Sequence, residues 1–324
     1  MSSKHDYSDP AHYRDLLNRI GEESKVLVLG GLDSGKTTLI RSLRTQLGGE
    51  VVDGDVGQSN IGPPGLVSRG YYGDGLKGAY FVGDITPRGN LVQVCTGLSR
   101  MSREAKRPCF IDTDGWIEGS VGRLYKSHMI DLVNPDFLVL MGENSEMEYF
   151  SSWYISQKTY SMTVSETRST SRGERLADRE RRFKYYFSQA GDRTRSWSKL
   201  LLCNTSLGYG ERLDPTKIEG YFDGRVLAGW KWGDQVSVIS EGGLNSPRQF
   251  KSSLHVTDVN VKTIPELEYL LVGCFRSREF VGLGTITEIT ERGLQVLTPA
   301  KKFDRLRFGK IYVSPSGEHD RGDR

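Results

Sequence analysis

Eight residues, 30–37, constrain the fold of this chain more than any other segment, because they read Gly-Gly-Leu-Asp-Ser-Gly-Lys-Thr. They follow a short apolar run at residues 25–30, typical of a buried strand, and precede a helical pattern over residues 37–47. A G-x-x-x-x-G-K-[ST] segment between a strand and a helix is typical of a loop whose backbone N–H groups surround phosphate oxygens. We therefore predict a nucleoside triphosphate site at this point of an α/β domain.

The loop contributes side chains as well as backbone to this predicted site. Lys36 is expected to reach the β- and γ-phosphates, and the Thr37 hydroxyl is expected to coordinate Mg²⁺. The positive end of the following helix adds to the attraction for phosphate. The residues predicted to bind the triphosphate are Gly30, Gly31, Leu32, Asp33, Ser34, Gly35, Lys36, Thr37 and Thr38. The motif does not identify the group that receives the phosphate.

The spacing of apolar runs predicts the fold class. After the loop, runs separated by helical or loop material recur at residues 50–52, 79–82, 108–111 and 137–141. Strands that alternate with helices favour a mostly parallel sheet with helices on both faces, the α/β architecture of a P-loop NTPase domain.

The pattern changes towards the C-terminus. Residues 161–171 are rich in Ser and Thr, and a basic stretch follows them. After about residue 210 the apolar runs are short and punctuated by turn residues, such as Glu291-Arg292-Gly293, which is typical of β structure. We expect an N-terminal helix within residues 1–24, a P-loop domain over 25–212 and a small β-rich domain over 213–324.

Composition excludes several classes of protein. Hydrophobic residues make up 36% and charged residues 26% of the chain, as in ordinary globular proteins. The net charge of +3 neither requires nor excludes a nucleic-acid partner. The four cysteines are widely separated, which argues against a zinc site or a disulfide framework. The polar N-terminus and the lack of an apolar run near 20 residues predict neither a signal peptide nor a membrane span, so we expect a cytoplasmic protein.

Two carboxylates and a glutamine follow the second apolar run, in the segment Asp53-Gly54-Asp55-Val56-Gly57-Gln58. Parallel strands bring such ends to the same edge of a sheet as the phosphate loop. Asp55 is therefore a candidate either for the Mg²⁺ shell or for accepting a proton from an attacking hydroxyl. An acidic turn in which Asp53 caps a helix explains the same residues without a catalytic role.

The segment 110–116, Phe-Ile-Asp-Thr-Asp-Gly-Trp, contains a D-x-x-G pattern that also occurs in GTPases. A GTPase additionally needs an N-K-x-D loop after a later strand to read guanine. The later strand ends offer 141–144, Met-Gly-Glu-Asn, and 202–205, Leu-Cys-Asn-Thr, and neither fits. Trp116 is left open between a core residue and an exposed ring on which a nucleobase stacks.

A basic helix is predicted after residue 171. Between Arg168 and Lys184, six arginines and one lysine stand against three acidic residues, a local net charge of +4. Steps of four, three, four and three residues place one set of arginines on a single helix side, namely Arg168, Arg172, Arg175, Arg179 and Arg182. The side is either a solvated basic face or a mobile lid, over about residues 168–187, that brings arginines to the transferring phosphoryl group.

Together these elements resemble the polynucleotide 5′-hydroxyl kinase family, whose members act in RNA processing and include short archaeal proteins. The matching segments are the P-loop at residues 30–37 and Asp55-Val56-Gly57-Gln58 as the family's D-x-x-G-Q. Thr113-Asp114-Gly115-Trp116 matches its T-x-G-W substrate clasp, and Arg175-x-x-x-Arg179 matches its lid. The resemblance extends over about residues 25–313.

The resemblance implies transfer of the γ-phosphate of ATP, or of another NTP, to the 5′-OH of RNA, with DNA as an alternative acceptor and Mg²⁺ as the divalent cation. It implies catalytic roles for Lys36, Asp55, Arg175 and Arg179. It implies that the cation is held by Thr37 and Asp55. It implies that the acceptor is bound by Gln58, Thr113 and Trp116.

Some alternatives stay open at this point. The arginine run is dense enough that Arg172 or Arg182 could be the clamp in place of Arg175 and Arg179. Larger family members carry an additional N-terminal β domain, whereas 24 residues precede the first predicted strand here, so partner-binding roles of that domain are not carried over. A non-catalytic nucleotide-binding scaffold of an RNA-processing complex and an NTPase or small-metabolite kinase are the two rival functions.

Overall fold

The computed structural model describes residues 10–73, 75–142, 145–154, 158–162 and 169–321. The chain divides between Arg182 and Phe183 into two compact units. This division precedes the domain boundary predicted at 212/213, because two strands between residues 190 and 204 pair with strands of the second unit. Arg168, with which the predicted lid begins, and the first nine residues of the predicted N-terminal helix lie outside the described residues.

The first unit contains the P-loop. Its described helices are α1 (Pro10–Arg19), α2 (Lys36–Leu47), α3 (Leu91–Glu104), α4 (Gly119–Val133), α5 (Ser145–Trp153) and α6 (Arg172–Phe187), of which α6 continues into the second unit. Its described strands are β1 (Lys25–Gly30), β2 (Glu50–Asp53), β3 (Leu66–Tyr71), β4 (Gly75–Phe81), β5 (Cys109–Asp112), β6 (Phe137–Met141) and β7 (Lys158–Met162).

The strands of the first unit form one sheet in the order β4-β3-β2-β5-β1-β6-β7. Strands β2, β5, β1, β6 and β7 are parallel to one another, and β3 and β4 form an antiparallel edge beside β2. Because parallel strands end at the same edge, the loops that follow β1, β2 and β5 lie next to one another. This edge carries all three loops that the sequence singles out.

Helices cover both faces of this sheet. Val26 and Val28 of β1 belong to a buried cluster with residues of α1 and α2, whereas Leu27 and Leu29 belong to one with residues of α3, α4 and α5. Successive side chains of a strand point to opposite faces, so a strand buried on both sides is apolar throughout. The predicted α/β class with helices on both faces is confirmed.

The second unit is rich in β structure. Its described strands are β8 (Gly191–Ser196), β9 (Leu201–Cys203), β10 (Glu211–Leu213), β11 (Val226–Trp232), β12 (Gln235–Ser240), β13 (Asp258–Thr263), β14 (Leu270–Arg276), β15 (Glu279–Thr290), β16 (Gly293–Thr298), β17 (Arg305–Val313) and β18 (His319–Asp320). Its short helices are α7 (Pro215–Ile218) and α8 (Pro247–Leu254), with 3₁₀ turns at Trp197–Lys199, Glu219–Tyr221 and Ile264–Glu266.

Two sheets organise this unit. One has the order β10-β11-β12-β13, and the other has the order β18-β17-β14-β15-β16-β8 with β9 paired to β17. A buried cluster shared by the two sheets includes Trp230 and Ile239 from the first and Val272 and Val296 from the second. The expected β-rich character is therefore present, within a unit that begins earlier than predicted.

Helix α8 ends at Leu254 and β13 begins at Asp258. Pro247 stands at the start of α8, where its missing N–H costs nothing, and His255 ends the helix with a φ of 52°.

The four cysteines are free thiols. Among the described residues, no helix combines the length and apolar character needed to cross a bilayer.

Candidate active site

The phosphate-binding loop joins β1 to α2 through backbone positions that need glycine. Gly35 precedes the first turn of α2 with a φ of 86°, a region that glycine adopts without steric cost. A Cβ on Gly30 would lie 2.4 Å from Oγ of Ser34 and 2.7 Å from Cβ of Met141, at the end of β6. The Ser34 hydroxyl donates to the carbonyl of Gly31 at 3.0 Å. The loop is thus a tightly packed turn at the end of the sheet.

Lys36, the first residue of α2, is mostly buried and points back onto the loop. Its ammonium group donates to the carbonyls of Gly30 at 3.0 Å and Gly31 at 2.6 Å. The loop carbonyls therefore hold a positive charge at the N-terminus of α2, where the helix dipole has the same sign. An anion at this point is attracted by both.

Thr37 is linked to a carboxylate that the sequence analysis did not single out. Its hydroxyl donates to Oδ2 of Asp112 at 2.7 Å, and the Tyr72 hydroxyl donates to the same oxygen at 3.0 Å. Asp112 is the last residue of β5, which pairs directly with β1. The sequence contained a signal for this role, because Asp112 ends an apolar run as expected of a residue at the edge of the sheet. The sequence analysis instead considered Asp112 only as part of the D-x-x-G pattern.

Asp55 lies in a tight turn after β2. Its Oδ1 accepts hydrogen bonds from the backbone N–H of Gly57 at 3.0 Å and of Gln58 at 2.8 Å. Burial, and secondly the negative charge of Asp114, raise the pKa of Asp55, while the two N–H groups and Lys36 oppose the rise. The result is an oriented carboxylate whose pKa lies above that of an ordinary aspartate.

Asp53, in contrast to Asp55, stabilises the backbone of the turn. It is fully buried at the end of β2, and its two oxygens accept the backbone N–H groups of Asp55 and Asn60. Burial and the nearby charges of Asp112 and Asp55 raise its pKa well above the usual range. The possibility that Asp53 caps a helix is not what the structure shows, because both bonds fix the turn that presents Asp55.

Asp114 organises the clasp segment from a buried position. Its carboxylate accepts the N–H of Trp116 at 2.9 Å and the hydroxyl of Tyr125 at 2.9 Å, and it pairs with the Lys126 ammonium at 3.0 Å. Lys126 is fully buried and also donates to the Asp114 carbonyl at 2.8 Å. Burial lowers the pKa of Lys126 and the Asp114 charge opposes that change. These bonds from α4 set the path of the backbone into Trp116.

Trp116 is neither a core residue nor a freely exposed one. It is half-buried, with one part of the indole packed against the core cluster below α3 and α4. Its ring lies 5.8 Å from that of Tyr125, and the Arg88 guanidinium lies 4.8 Å from the ring centre. Arg88, which the sequence analysis did not consider, gives the indole a cationic neighbour.

The other two acceptor-binding candidates differ from each other. The Thr113 hydroxyl is buried and donates to the carbonyl of Val28 in β1 at 2.9 Å, so this side chain anchors the loop to the sheet. Gln58 is half-buried and lines the same cavity as Asp55. A Cβ on Gly115 would lie 2.7 Å from the backbone nitrogen of Leu32, so glycine lets the clasp run directly against the P-loop.

The start of α6 is attached to the P-loop. Asp33 accepts the backbone N–H of Thr170 at 2.8 Å and lies 3.8 Å from the Arg175 guanidinium. Arg175 itself donates to the Thr170 carbonyl at 2.6 Å. Ser171 and Glu174 form reciprocal hydrogen bonds that cap the helix. These contacts bring Arg175 beside the phosphate-binding loop.

The remaining arginines of α6 differ in burial and in the charged groups near them. Burial lowers the pKa of Arg179, as does the charge of Arg175, whereas the charge of Asp55 raises it, so Arg179 lies within electrostatic reach of that carboxylate. Arg182 donates to Asp178 at 2.7 Å, and Arg172 is exposed. Arg175, which lies beside Asp33, and Arg179 therefore remain the candidates for the lid.

One cavity of about 430 Å³ collects most of the predicted residues. Its lining includes P-loop residues 32–38 together with Asp55, Gln58, Asp112 and Arg175. Of the described candidates, Gly30, Gly31, Trp116 and Arg179 do not line it, although Gly115 and Asp178, next to the last two, do. The structure thus brings P-loop residues, an oriented carboxylate and an arginine of α6 to one opening.

Comparison with known proteins identifies the family. Residues 30–189 match the model of the mRNA cleavage and polyadenylation factor CLP1 P-loop family. A polyribonucleotide 5′-hydroxyl-kinase of Pyrococcus furiosus is 32% identical over an alignment that covers 91% of this chain and 89% of the relative. The chain belongs to the polyribonucleotide 5′-hydroxyl-kinase family. Further relatives of the same name occur in Thermococcus kodakarensis, at 30% identity over 94% of this chain and 93% of the relative, and in Methanocaldococcus jannaschii, at 28% over 91% and 88%.

Solved structures support the same fold for this family member. Wild-type Clp1p, determined in a complex with a segment of Pcf11p, superposes with a TM-score of 0.60 over 92% of this chain and 77% of that chain. The sequence identity is 14%, so the likeness is one of architecture. The predicted family and fold class are confirmed, and membership of a P-loop family implies nucleotide binding.

Proposed function

We propose that this chain transfers the γ-phosphate of ATP to the 5′-hydroxyl end of RNA. The observation that carries the proposal is the single cavity in which Lys36, Asp55 and Arg175 meet beside the phosphate-binding loop. Family membership supports the reaction class, since the relatives are named for this activity. Phosphoryl transfer depends mainly on alignment and charge neutralisation, and these residues supply both.

Asp55 is assigned to the acceptor hydroxyl. The N–H groups of Gly57 and Gln58 both bond to Oδ1, and no described residue donates to Oδ2. The raised pKa of Asp55 brings it closer to the value at which a carboxylate accepts a proton near neutral pH. As the 5′-oxygen bonds to the γ-phosphorus, its proton passes to Oδ2, the bond from that phosphorus to the bridging oxygen breaks, and ADP leaves.

A divalent cation fits the donor set beside the P-loop. The Thr37 hydroxyl and the Asp112 carboxylate are oxygen groups of the kind that Mg²⁺ prefers, and they lie 2.7 Å apart. We assign the cation to Thr37 and Asp112, which revises the expected pair of Thr37 and Asp55. A cation bound there would neutralise charge on the β- and γ-phosphates.

The decisive experiment compares transfer with hydrolysis. Purified protein is given ATP labelled at the γ-phosphate and either a 5′-OH RNA oligomer or the same oligomer already phosphorylated at its 5′ end. We expect label on the 5′-OH RNA alone, and much slower release of free phosphate without RNA. An ATP hydrolysis rate that is the same with and without RNA would favour an NTPase. Nucleotide binding without either reaction would favour a non-catalytic scaffold. A parallel series with a 5′-OH DNA oligomer measures the preference for RNA.

Trp116→Ala tests the acceptor side of the site. Loss of the ring should raise KM for the RNA about 5- to 150-fold, the scale of one base-stacking contact, while the affinity for ATP stays close to wild type. The measurement is KM for each substrate in steady-state transfer. Trp153→Ala, which removes an exposed indole from α5, is the matched control. Equal loss of ATP and RNA affinity would show that Trp116 only supports the fold.

Arg175→Ala tests the register of the lid. We expect kcat to fall about 10²- to 10³-fold, because one positive group beside the developing phosphoryl charge is removed. The measurement is single-turnover transfer at saturating ATP. Arg172→Ala removes an exposed arginine one turn earlier on α6 and should leave kcat near wild type. The opposite order of effects would show that the register has slipped.

A further inference from the structure

A second pocket, of about 180 Å³, lies wholly within the second unit. Its lining consists of Ser206, Tyr209, Trp230, Trp232, Gln235 and Ser237. We propose that this pocket binds one nucleobase of single-stranded RNA, which gives the β-rich unit a role in holding the acceptor. The inference rests on the proposed function, because it takes RNA as the acceptor.

The floor and one wall of the pocket come from the β11–β12 hairpin. Trp230 pairs with Ser237 and Trp232 pairs with Gln235, so these four side chains share one face of the sheet. Trp230 is buried and meets Trp197 edge-on at 5.3 Å. The floor is therefore a fixed aromatic surface, while 67% of Trp232 is exposed at the rim.

The opposite wall depends on a glycine-flanked tyrosine. Gly208 and Gly210 have φ of 81° and 88°, and Tyr209 stands between them with 44% of its surface exposed. A Cβ on Gly210 would lie 2.0 Å from the Lys231 carbonyl oxygen and 3.0 Å from Cβ of Trp232. Only glycine allows the loop to pass this close to β11, and the close approach places Tyr209 beside Trp232.

The chemistry of the lining selects the ligand. The six lining side chains are aromatic, hydroxyl or amide groups without a charge, so the pocket offers no cationic partner to a phosphate. Ser206, Ser237 and Gln235 offer hydrogen-bonding groups beside the rings, and Ser206 Oγ is oriented by the amide of Asn260 at 2.7 Å. A neutral planar ring with a polar edge, such as a nucleobase, matches both features.

Size narrows the ligand further. Pockets for drug-sized molecules span roughly 300–1,000 Å³, whereas this one has about 180 Å³. The volume suits one ring system, with the charged sugar-phosphate backbone left in solvent. A proline-rich peptide also packs on aromatic rings, and the proposed transfer to RNA is the reason for choosing a base.

The test measures RNA affinity of the full chain. The probe is a 5′-phosphorylated single-stranded RNA ten-mer with a fluorescent 3′ label, followed by anisotropy. Trp232→Ala and Tyr209→Ala should each weaken binding about 5- to 150-fold, and Trp232→Phe should restore most of it. Trp153→Ala, which removes an equally exposed indole from the first unit, should bind as wild type.

A second readout separates this inference from the proposed function. Transfer of phosphate to a 5′-OH dinucleotide should be unchanged in Trp232→Ala, since Trp232 does not line the cavity beside the P-loop. Equal RNA affinity of Trp232→Ala and wild type, or Trp232-dependent binding of a proline-rich peptide in place of RNA, would overturn the pocket while leaving the kinase assignment intact. If the wild-type protein does not phosphorylate RNA, the proposed function fails, and with it the premise that RNA is the acceptor.

Discussion

Lys36→Ala is expected to abolish measurable phosphate transfer, with a loss of at least about 10²- to 10³-fold in kcat. The ammonium group is held against the carbonyls of Gly30 and Gly31 at the N-terminus of α2. No other described lysine lines this cavity, so its charge on the β- and γ-phosphates would not be replaced. The measurement is labelled phosphate on a 5′-OH RNA oligomer in a single turnover.

The control for this variant is Lys77→Ala. Lys77 is an exposed lysine of β4, in the same unit but outside the cavity, and its loss should leave transfer near the wild-type rate. Thermal unfolding of both variants shows whether either has lost its fold. If Lys36→Ala still labels the RNA at more than a tenth of the wild-type rate, the triphosphate is bound elsewhere.

Asp55→Asn should lower kcat about 10²- to 10⁴-fold, the usual contribution of a general base. The asparagine oxygen can still accept the N–H groups of Gly57 and Gln58, so the turn is expected to survive. ATP affinity should therefore change little. Asp131→Asn, an exposed isosteric change in α4, is the matched control.

The pH profile gives the same variant a sharper test. Burial favours the neutral carboxyl and raises the pKa of Asp55, and the base acts only when ionised. Wild-type kcat/KM should therefore fall with decreasing pH around a pKa above the ordinary aspartate value of about 3.9. Asp55→Asn should lack this acid limb. An unchanged limb in the variant would assign it to another group.

Most of the P-loop unit follows from local patterns. The P-loop can be identified from the sequence because its glycines, Lys36 and Thr37 occur at fixed spacing, as the backbone angles of the loop require. The parallel sheet follows from apolar runs that alternate with helices, and helix α6 follows from arginines three and four residues apart. In each case a short stretch of sequence contains all the necessary information.

The parts that escaped prediction depend on distant residues. Asp112 lies beside the P-loop because β5 pairs with β1, and Arg88 contacts Trp116 only in the folded chain. The hydrogen bond from the Thr113 hydroxyl to β1 likewise depends on the fold. Strands β8 and β9 were assigned to the wrong side of the domain boundary, since their sheet partners lie about a hundred residues later in the chain.

A structure of the protein with a non-hydrolysable ATP analogue, Mg²⁺ and a short 5′-OH RNA tests the central claim most directly. The acceptor oxygen should lie within about 2.6–3.2 Å of Oδ2 of Asp55 and about 3–3.5 Å from the γ-phosphorus, with the terminal base against Trp116. A 5′ end bound away from Asp55, with another group beside its hydroxyl, would contradict the mechanism.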